Sequence, residues 1–146
     1  MRVFIAGIMQ GSRQDHLIGS QNYRSQLAEA LAAQFNPLEI IDPFSLHPNS
    51  VDYDDVLVRD TFLSMTELAG SADLVLAYLP EASMGTAIEL WTAHHAGVPA
   101  IVVTPMTHNW VVKVTASQVV SDLESLLDFI ESGQLRQLVD AHQPTD

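Results

Sequence analysis

The run Ala72-Asp73-Leu74-Val75-Leu76-Ala77-Tyr78-Leu79 is followed, after a short polar turn, by Ser83-Met84-Gly85-Thr86-Ala87-Ile88-Glu89-Leu90. The second stretch opens a helical pattern that lasts to about Ala96. A buried strand handing over to a helix through a Ser/Gly turn leaves the chain few options. The helix carries it back to the edge it started from, so the next strand lies parallel to the first. In such sheets ligands collect at the carboxyl ends of the strands, where the following helix aims its amino end at them. Free N–H groups and the helix dipole there favour anions. Ser83 and Thr86 add hydroxyls, and Gly85 lets a ligand come close to the backbone. Glu89 is the discordant residue. Its neighbours Ala87, Ile88, Leu90 and Trp91 are apolar, which predicts a carboxylate only partly solvated. The plainer alternative is a helix-start acid that complements the dipole.

The same alternation recurs along the chain. Residues 2–7 read as a buried strand ending in glycine, and 7–19 as a polar loop suited to binding. From the N-cap candidate Ser20 a helix runs to about Gln34, with Tyr23, Leu27, Ala30, Leu31 and Phe35 on one face. Pro37 ends it, and 38–41 is a second strand. Residues 42–50 form a loop with two prolines, in which His47 is expected to face solvent. A helix follows over 56–69. Asp52, Asp54 and Asp55 ahead of it complement its dipole, whereas Asp60 lies a turn further in. The third and fourth strands are 73–79 and 100–104, separated by the Glu89 helix and its Gly97-Val98-Pro99 stop. Residues 105–110 make another loop, 111–114 fit either strand or helix, and 121–130 an amphipathic helix. The tail from Gln134 reads as a helix, frayed or packed on a partner. This order predicts a single 1–146 domain of the α/β class: a doubly wound, Rossmann-like or flavodoxin-like parallel sheet sandwiched by helices. Loops 7–19, 80–86 and 105–110 would then converge at one sheet edge.

Charge narrows the partners. The net charge is −12, and the only cations are Arg2, Arg13, Arg24, Arg59, Lys113 and Arg136, scattered along the chain. No basic patch can be built from them, which argues against binding a nucleic-acid polymer. A single small phosphate is still within reach of a helix amino end. The absence of cysteine removes disulfide and thiolate chemistry. No apolar run approaches the roughly 18 residues of a membrane span, and the first residues lack the layout of a signal peptide. The expected location is the cytoplasm, without membrane association.

Several motifs that would name a chemistry are missing. Gly7-x-x-x-Gly11-Ser12 is not a dinucleotide fingerprint, and there is no phosphate-binding G-x-x-x-x-G-K-[ST] or G-x-S-x-G elbow. His94 and His95 are adjacent, so a helix sets them about 100° apart and spoils joint metal binding. Neither a metal nor a cofactor is expected. What survives is carboxylate chemistry with hydroxyl and backbone donors nearby. A partly buried Glu89 suits attack on, or stabilisation of, an oxocarbenium-like sugar centre. Such a reaction commonly uses a second carboxyl to protonate the leaving group, and Asp60 is the best-placed acid in the sequence.

Three stretches together carry a resemblance. They are Val3-Phe4-Ile5-Ala6-Gly7-x-x-x-Gly11-Ser12-Arg13-x-Asp15, Ala72-Asp73-Leu74-Val75-Leu76-Ala77 and Ser83-x-Gly85-x-x-x-Glu89. In order and separation they resemble the nucleoside 2-deoxyribosyltransferase family, and within it the N-glycosidases that release the base from a (deoxy)nucleoside 5′-monophosphate. The resemblance covers about a third of the chain. It implies Glu89 as nucleophile, a substrate loop from Gly7 to Asp15 that includes Gly11, Ser12 and Arg13, and Ser83 as a contact to the 5′-phosphate. It further implies a small nucleotide or nucleoside as ligand and a homo-oligomer, a dimer or larger, whose neighbouring subunit closes the site. Trp110, Val111 and Val112 supply apolar surface for that assembly, with Asn109 or its neighbours reaching the partner's site. The chain departs from the family at Ile8, Gln10 and Trp91, which keeps two alternatives to hydrolysis open: base exchange between deoxynucleosides, and a non-catalytic nucleotide-binding or sensor domain that retains the fold. The family's aspartate spacing lands on Met65, so Asp60 fits only with an insertion of about one helical turn.

Overall fold

The computed structural model describes residues 1–9, 18 and 20–142. Among these, the five strands are β1 (Arg2–Gly7), β2 (Glu39–Ile41), β3 (Leu74–Tyr78), β4 (Ala100–Val103) and β5 (Gln118–Val120). They form one all-parallel sheet in the order β2-β1-β3-β4-β5. The helices between and after them are α1 (Asn22–Gln34), α2 (Pro43–Leu46), α3 (Asp55–Gly70), α4 (Met84–His95), α5 (Trp110–Thr115), α6 (Leu123–Glu131) and α7 (Gln134–His142). This is the doubly wound parallel sheet that the sequence predicts, and of the two arrangements expected, Rossmann-like or flavodoxin-like, it has the flavodoxin-like order.

The core follows from strand alternation. Successive strand residues point to opposite faces, and a parallel sheet covered on both sides must be apolar at both. Val3 and Ile5 of β1, Leu74 and Leu76 of β3, and Ile101 and Val103 of β4 pack with Leu27 and Leu31 of α1, Leu126 and Ile130 of α6 and Leu135 of α7. The intervening residues Phe4, Ala6, Val75, Ala77, Ala100 and Val102 pack with Met65 and Ala69 of α3, Leu90 and Ala93 of α4 and Val112 of α5. The second face carries the smaller strand side chains.

Three details differ from the sequence reading. Residues 111–114 resolve as helix, within α5, started by the Asn109 side chain accepting from the Val111 and Val112 N–H groups. The 42–50 loop holds a helical turn, α2, capped by Asp42. A fifth strand, β5, was not expected; none of its three residues is buried, so no apolar run marks it. The tail is a helix, α7, docked on α1: the Arg136 guanidinium lies 4.6 Å over the Phe35 ring and donates to the Gln34 carbonyl. Among the described residues, no helix is long and apolar enough to cross a membrane.

Candidate active site

In this strand order the chain leaves β1 towards β2 on one side, while β3 lies on the other. The crevice at the carboxyl ends of β1 and β3 is where such sheets bind ligands. Gly7 and Tyr78 are paired there in register. A Cβ on Gly7 would fall 2.1 Å from the Tyr23 hydroxyl, so glycine is what admits the phenol of α1 to the crevice. Tyr23 is buried against Tyr78, with ring centroids 4.5 Å apart. Its hydroxyl has no hydrogen-bond partner among the described residues. Burial pushes the phenol up to about 12, so it stays protonated.

Next to it, Arg24 is buried and fixed. Its Nη1 donates to the Ile5 carbonyl at 2.7 Å and to Asp42 Oδ1 at 2.8 Å, and its Nε to Gln21 Oε1 at 2.6 Å. Asp42 in turn accepts from the Phe44 N–H and the Ser45 hydroxyl, which starts α2. The other end of α2 is His47, whose N–H bonds the Pro43 carbonyl. The buried ion pair thus sets where His47 stands. His47 is half-buried, and its Nδ1 lies 2.9 Å from the Tyr53 hydroxyl, the two rings edge to face at 89°. The expectation of a solvent-facing loop histidine is corrected on this point.

Glu89 shares a cavity of about 220 Å³ with that pair. The rest of the lining is mostly apolar and includes Met9, Pro43, Val58, Phe62 and Met65. The reason lies in the helix period. Thr86, Leu90 and Ala93 are the buried residues of α4, and positions 86, 89, 90 and 93 form one inward stripe. Glu89 stands where that stripe calls for a hydrophobic residue. Removal from water raises its carboxyl from the usual 4.5 to about 8, against the opposing pull of Arg24. Thr86, one turn earlier on the same stripe, is buried, and its hydroxyl has no hydrogen-bond partner among the described residues.

The other sequence-predicted residues fall in different places. Ser83 caps α4, its Oγ accepting the Thr86 N–H at 3.4 Å. It lines a separate depression of about 230 Å³ together with Asn109, Ala87 and Met106. Ser83 and Asn109 are therefore neighbours, but not in the Glu89 cavity. Gly85 has open space where a Cβ would go, so packing does not demand a glycine there. Gly11, Ser12 and Arg13 lie outside the described residues. Asp60 is exposed. Val58, Thr61, Phe62 and Met65 are the α3 residues that line the cavity, and at 100° per residue Asp60 sits on the opposite side of the helix. The chain does not bring Asp60 to Glu89. Met65 takes that place, as the family spacing implied. Tyr23, Arg24 and Tyr53 were not singled out as site residues from the sequence. Two of them, Tyr23 and Arg24, are adjacent on α1, and only the fold reveals that the Tyr23 hydroxyl reaches the crevice at Gly7 while Arg24 lines a separate cavity with Asp42.

Neither a family model nor a curated protein sequence matches the chain. Solved structures do. A 2-deoxyribosyltransferase from Bacillus psychrosaccharolyticus superposes with a TM-score of 0.63 at 14% identity, over 88% of this chain and 91% of that one. A conserved protein from Enterococcus faecalis V583 gives 0.58 at 20% identity, over 90% and 97%. The CMP N-glycosidase of Clostridium botulinum gives 0.55 at 17% identity, over 90% and 99%. The chain is built on the fold of a 2-deoxyribosyltransferase and a CMP N-glycosidase.

Proposed function

We propose that the protein cleaves the N-glycosidic bond of a (deoxy)nucleoside 5′-monophosphate, with Glu89 as the nucleophile. The observation that carries this reading is the placement of Glu89 on the inward stripe of α4, in the wall of an otherwise mostly apolar cavity at the carboxyl ends of the strands. A carboxyl held away from water is, once ionised, a stronger nucleophile and a better partner for developing positive charge on a sugar. The apolar walls suit the faces of a base. The likeness in fold to the two glycosyl-processing enzymes supports the same chemistry.

The phosphate would meet the amino end of α4, where Ser83 and the free N–H groups of the first turn point outwards. Gly85, with room beside it, leaves space for that approach. A second reading, base exchange between deoxynucleosides, uses the same Glu89 ester with a second base in place of water. The Ser83 hydroxyl favours it in one respect, being engaged as a cap and set in a different depression from Glu89.

The active form would be a homo-oligomer. Trp110 is 84% exposed and Met84 86%. With Trp91, Val111 and Val114 they give α4 and α5 an apolar surface that a second copy would cover. The test of function is incubation with a panel of nucleosides and 5′-monophosphates, following free base by chromatography. Release from monophosphates supports hydrolysis, release only with an acceptor base supports exchange, and neither from any substrate rejects both.

A further inference from the structure

Resting on the reading above, we propose that His47, its ring held by Tyr53, is the proton donor to the departing base. The bond between C1′ and the base nitrogen breaks with its electron pair going to the base, which needs a proton to leave as a neutral molecule. The sequence offered Asp60 for that task, and the fold turns it away. At the position facing Glu89 from α3 stands Met65, which has no proton to give. Among the described residues lining the cavity, the groups that titrate are Glu89, His47 and Tyr53. Of the two that are not the nucleophile, the imidazole is the side chain most often used as a general acid, and the phenol is engaged in holding it.

The geometry fits a donor. His47 is the residue that ends α2, Tyr53 comes from the segment after it, and both line the cavity that Glu89 of α4 lines. A base lying between Met65, Phe62 and Pro43 would have the carboxylate on one side and the imidazole on another. Nδ1 is occupied by the Tyr53 hydroxyl at 2.9 Å, so Nε2, on the opposite edge of the ring, is the atom left for the base. With Nδ1–H donating to the phenol oxygen, the imidazolium is held in one orientation. In the first half-reaction Glu89 Oε forms the bond to C1′, the C1′–N bond breaks, and the Nε2 proton passes to the base. In the second, water attacks C1′, its proton goes to the now neutral Nε2, and the Glu89 ester is released as carboxylate. The sugar leaves with a hydroxyl, and both residues return to their starting forms.

The test compares two leaving groups. One substrate is the best monophosphate from the panel. The other is the 4-nitrophenyl glycoside of the same sugar 5-phosphate, whose nitrophenolate departs without a proton. His47→Gln should lower kcat/KM for the first by roughly 10²–10⁴-fold, the range of a lost general acid. It should lower the second by less than about tenfold. Wild type should show a bell-shaped pH profile with the first substrate. In His47→Gln the alkaline fall disappears, leaving only the rise as Glu89 ionises through about 8. Equal losses on both substrates, no loss on either, or an unchanged alkaline limb overturns the proposal. If the variant does not fold, wild type alone decides: the alkaline fall should be present for the base and absent for nitrophenolate, and its presence for both overturns the assignment. A wild type that releases no base from anything fails at the earlier reading, a different and separable result.

Discussion

The two long faces of α4 invert the usual pattern. Its inward stripe, 86, 89, 90 and 93, includes a glutamate and a threonine whose hydroxyl has no partner among the described residues. Its other stripe, Met84, Ala87, Ile88 and Trp91, has the same i, i+3, i+4, i+7 spacing and is wholly apolar. Yet Met84, Ile88 and Trp91 are exposed. A helix built only for stability would put these residues the other way round. Charge in the interior costs stability unless it has a task, and an exposed apolar stripe costs solubility unless it is covered. On the proposed function the contrast has one explanation: the face towards the sheet would serve chemistry and the face away from it assembly.

The largest expected effect tests the inward face. Glu89→Gln should cut kcat by at least about 10³-fold, as the loss of a nucleophile does, while the protein becomes more stable. The sign follows from linkage. The folded carboxyl holds its proton up to about 8, whereas the unfolded one loses it near 4.5. The folded state thus binds more protons between those values, and stability falls as pH rises through that window. Glutamine escapes this loss, so the gain in Tm should be larger at pH 9 than at pH 4. A variant that is inactive and also less stable at pH 9 would reduce Glu89 to a structural residue.

The outward face is tested by Trp110→Asp, on the helix that continues the exposed apolar surface. Loss of a large aromatic anchor should weaken self-association by at least about thirtyfold, read by light scattering over a dilution series. Wild type that is monomeric at all concentrations would break the comparison from this side. The smallest effect is expected at Ser83, between the two faces. Ser83→Ala should cost roughly tenfold to a hundredfold in kcat/KM with a monophosphate, the worth of a hydrogen bond to a charged group. It should cost little with the matching nucleoside. Equal losses with both would make Ser83 a helix cap alone, which costs about 1 kcal/mol of stability when removed.

Much of this was legible in the residues. The apolar runs at 2–7, 73–79 and 100–104 are long enough to read as buried strands, and the helices between them make those strands parallel. Glu89 was legible too, because it interrupts an apolar helical stripe. What the sequence concealed depends on three-dimensional approach. Asp60 passes for a partner until the helix is wound and it proves to lie on the outer side of α3. His47 passes for a loop residue until the Arg24–Asp42 pair, whose members are 18 positions apart, fixes α2 beneath it. Tyr23 is ordinary on α1 until its hydroxyl is found occupying the space that the missing Cβ of Gly7 leaves open. Periodicity reports which face is buried, not which neighbour it meets.

The central claim is that Glu89 forms a covalent bond to the sugar, and trapping that bond tests it most directly. The protein is incubated with a monophosphate bearing fluorine at C2′, which slows hydrolysis of a glycosyl ester more than it obstructs the intermediate's detection. It is then quenched, digested and mapped by mass spectrometry. The account predicts one added sugar phosphate on the peptide containing Glu89, at that residue, together with one equivalent of base released. Base release with the Glu89 peptide unmodified and the sugar carried on another residue, or on none, would contradict it.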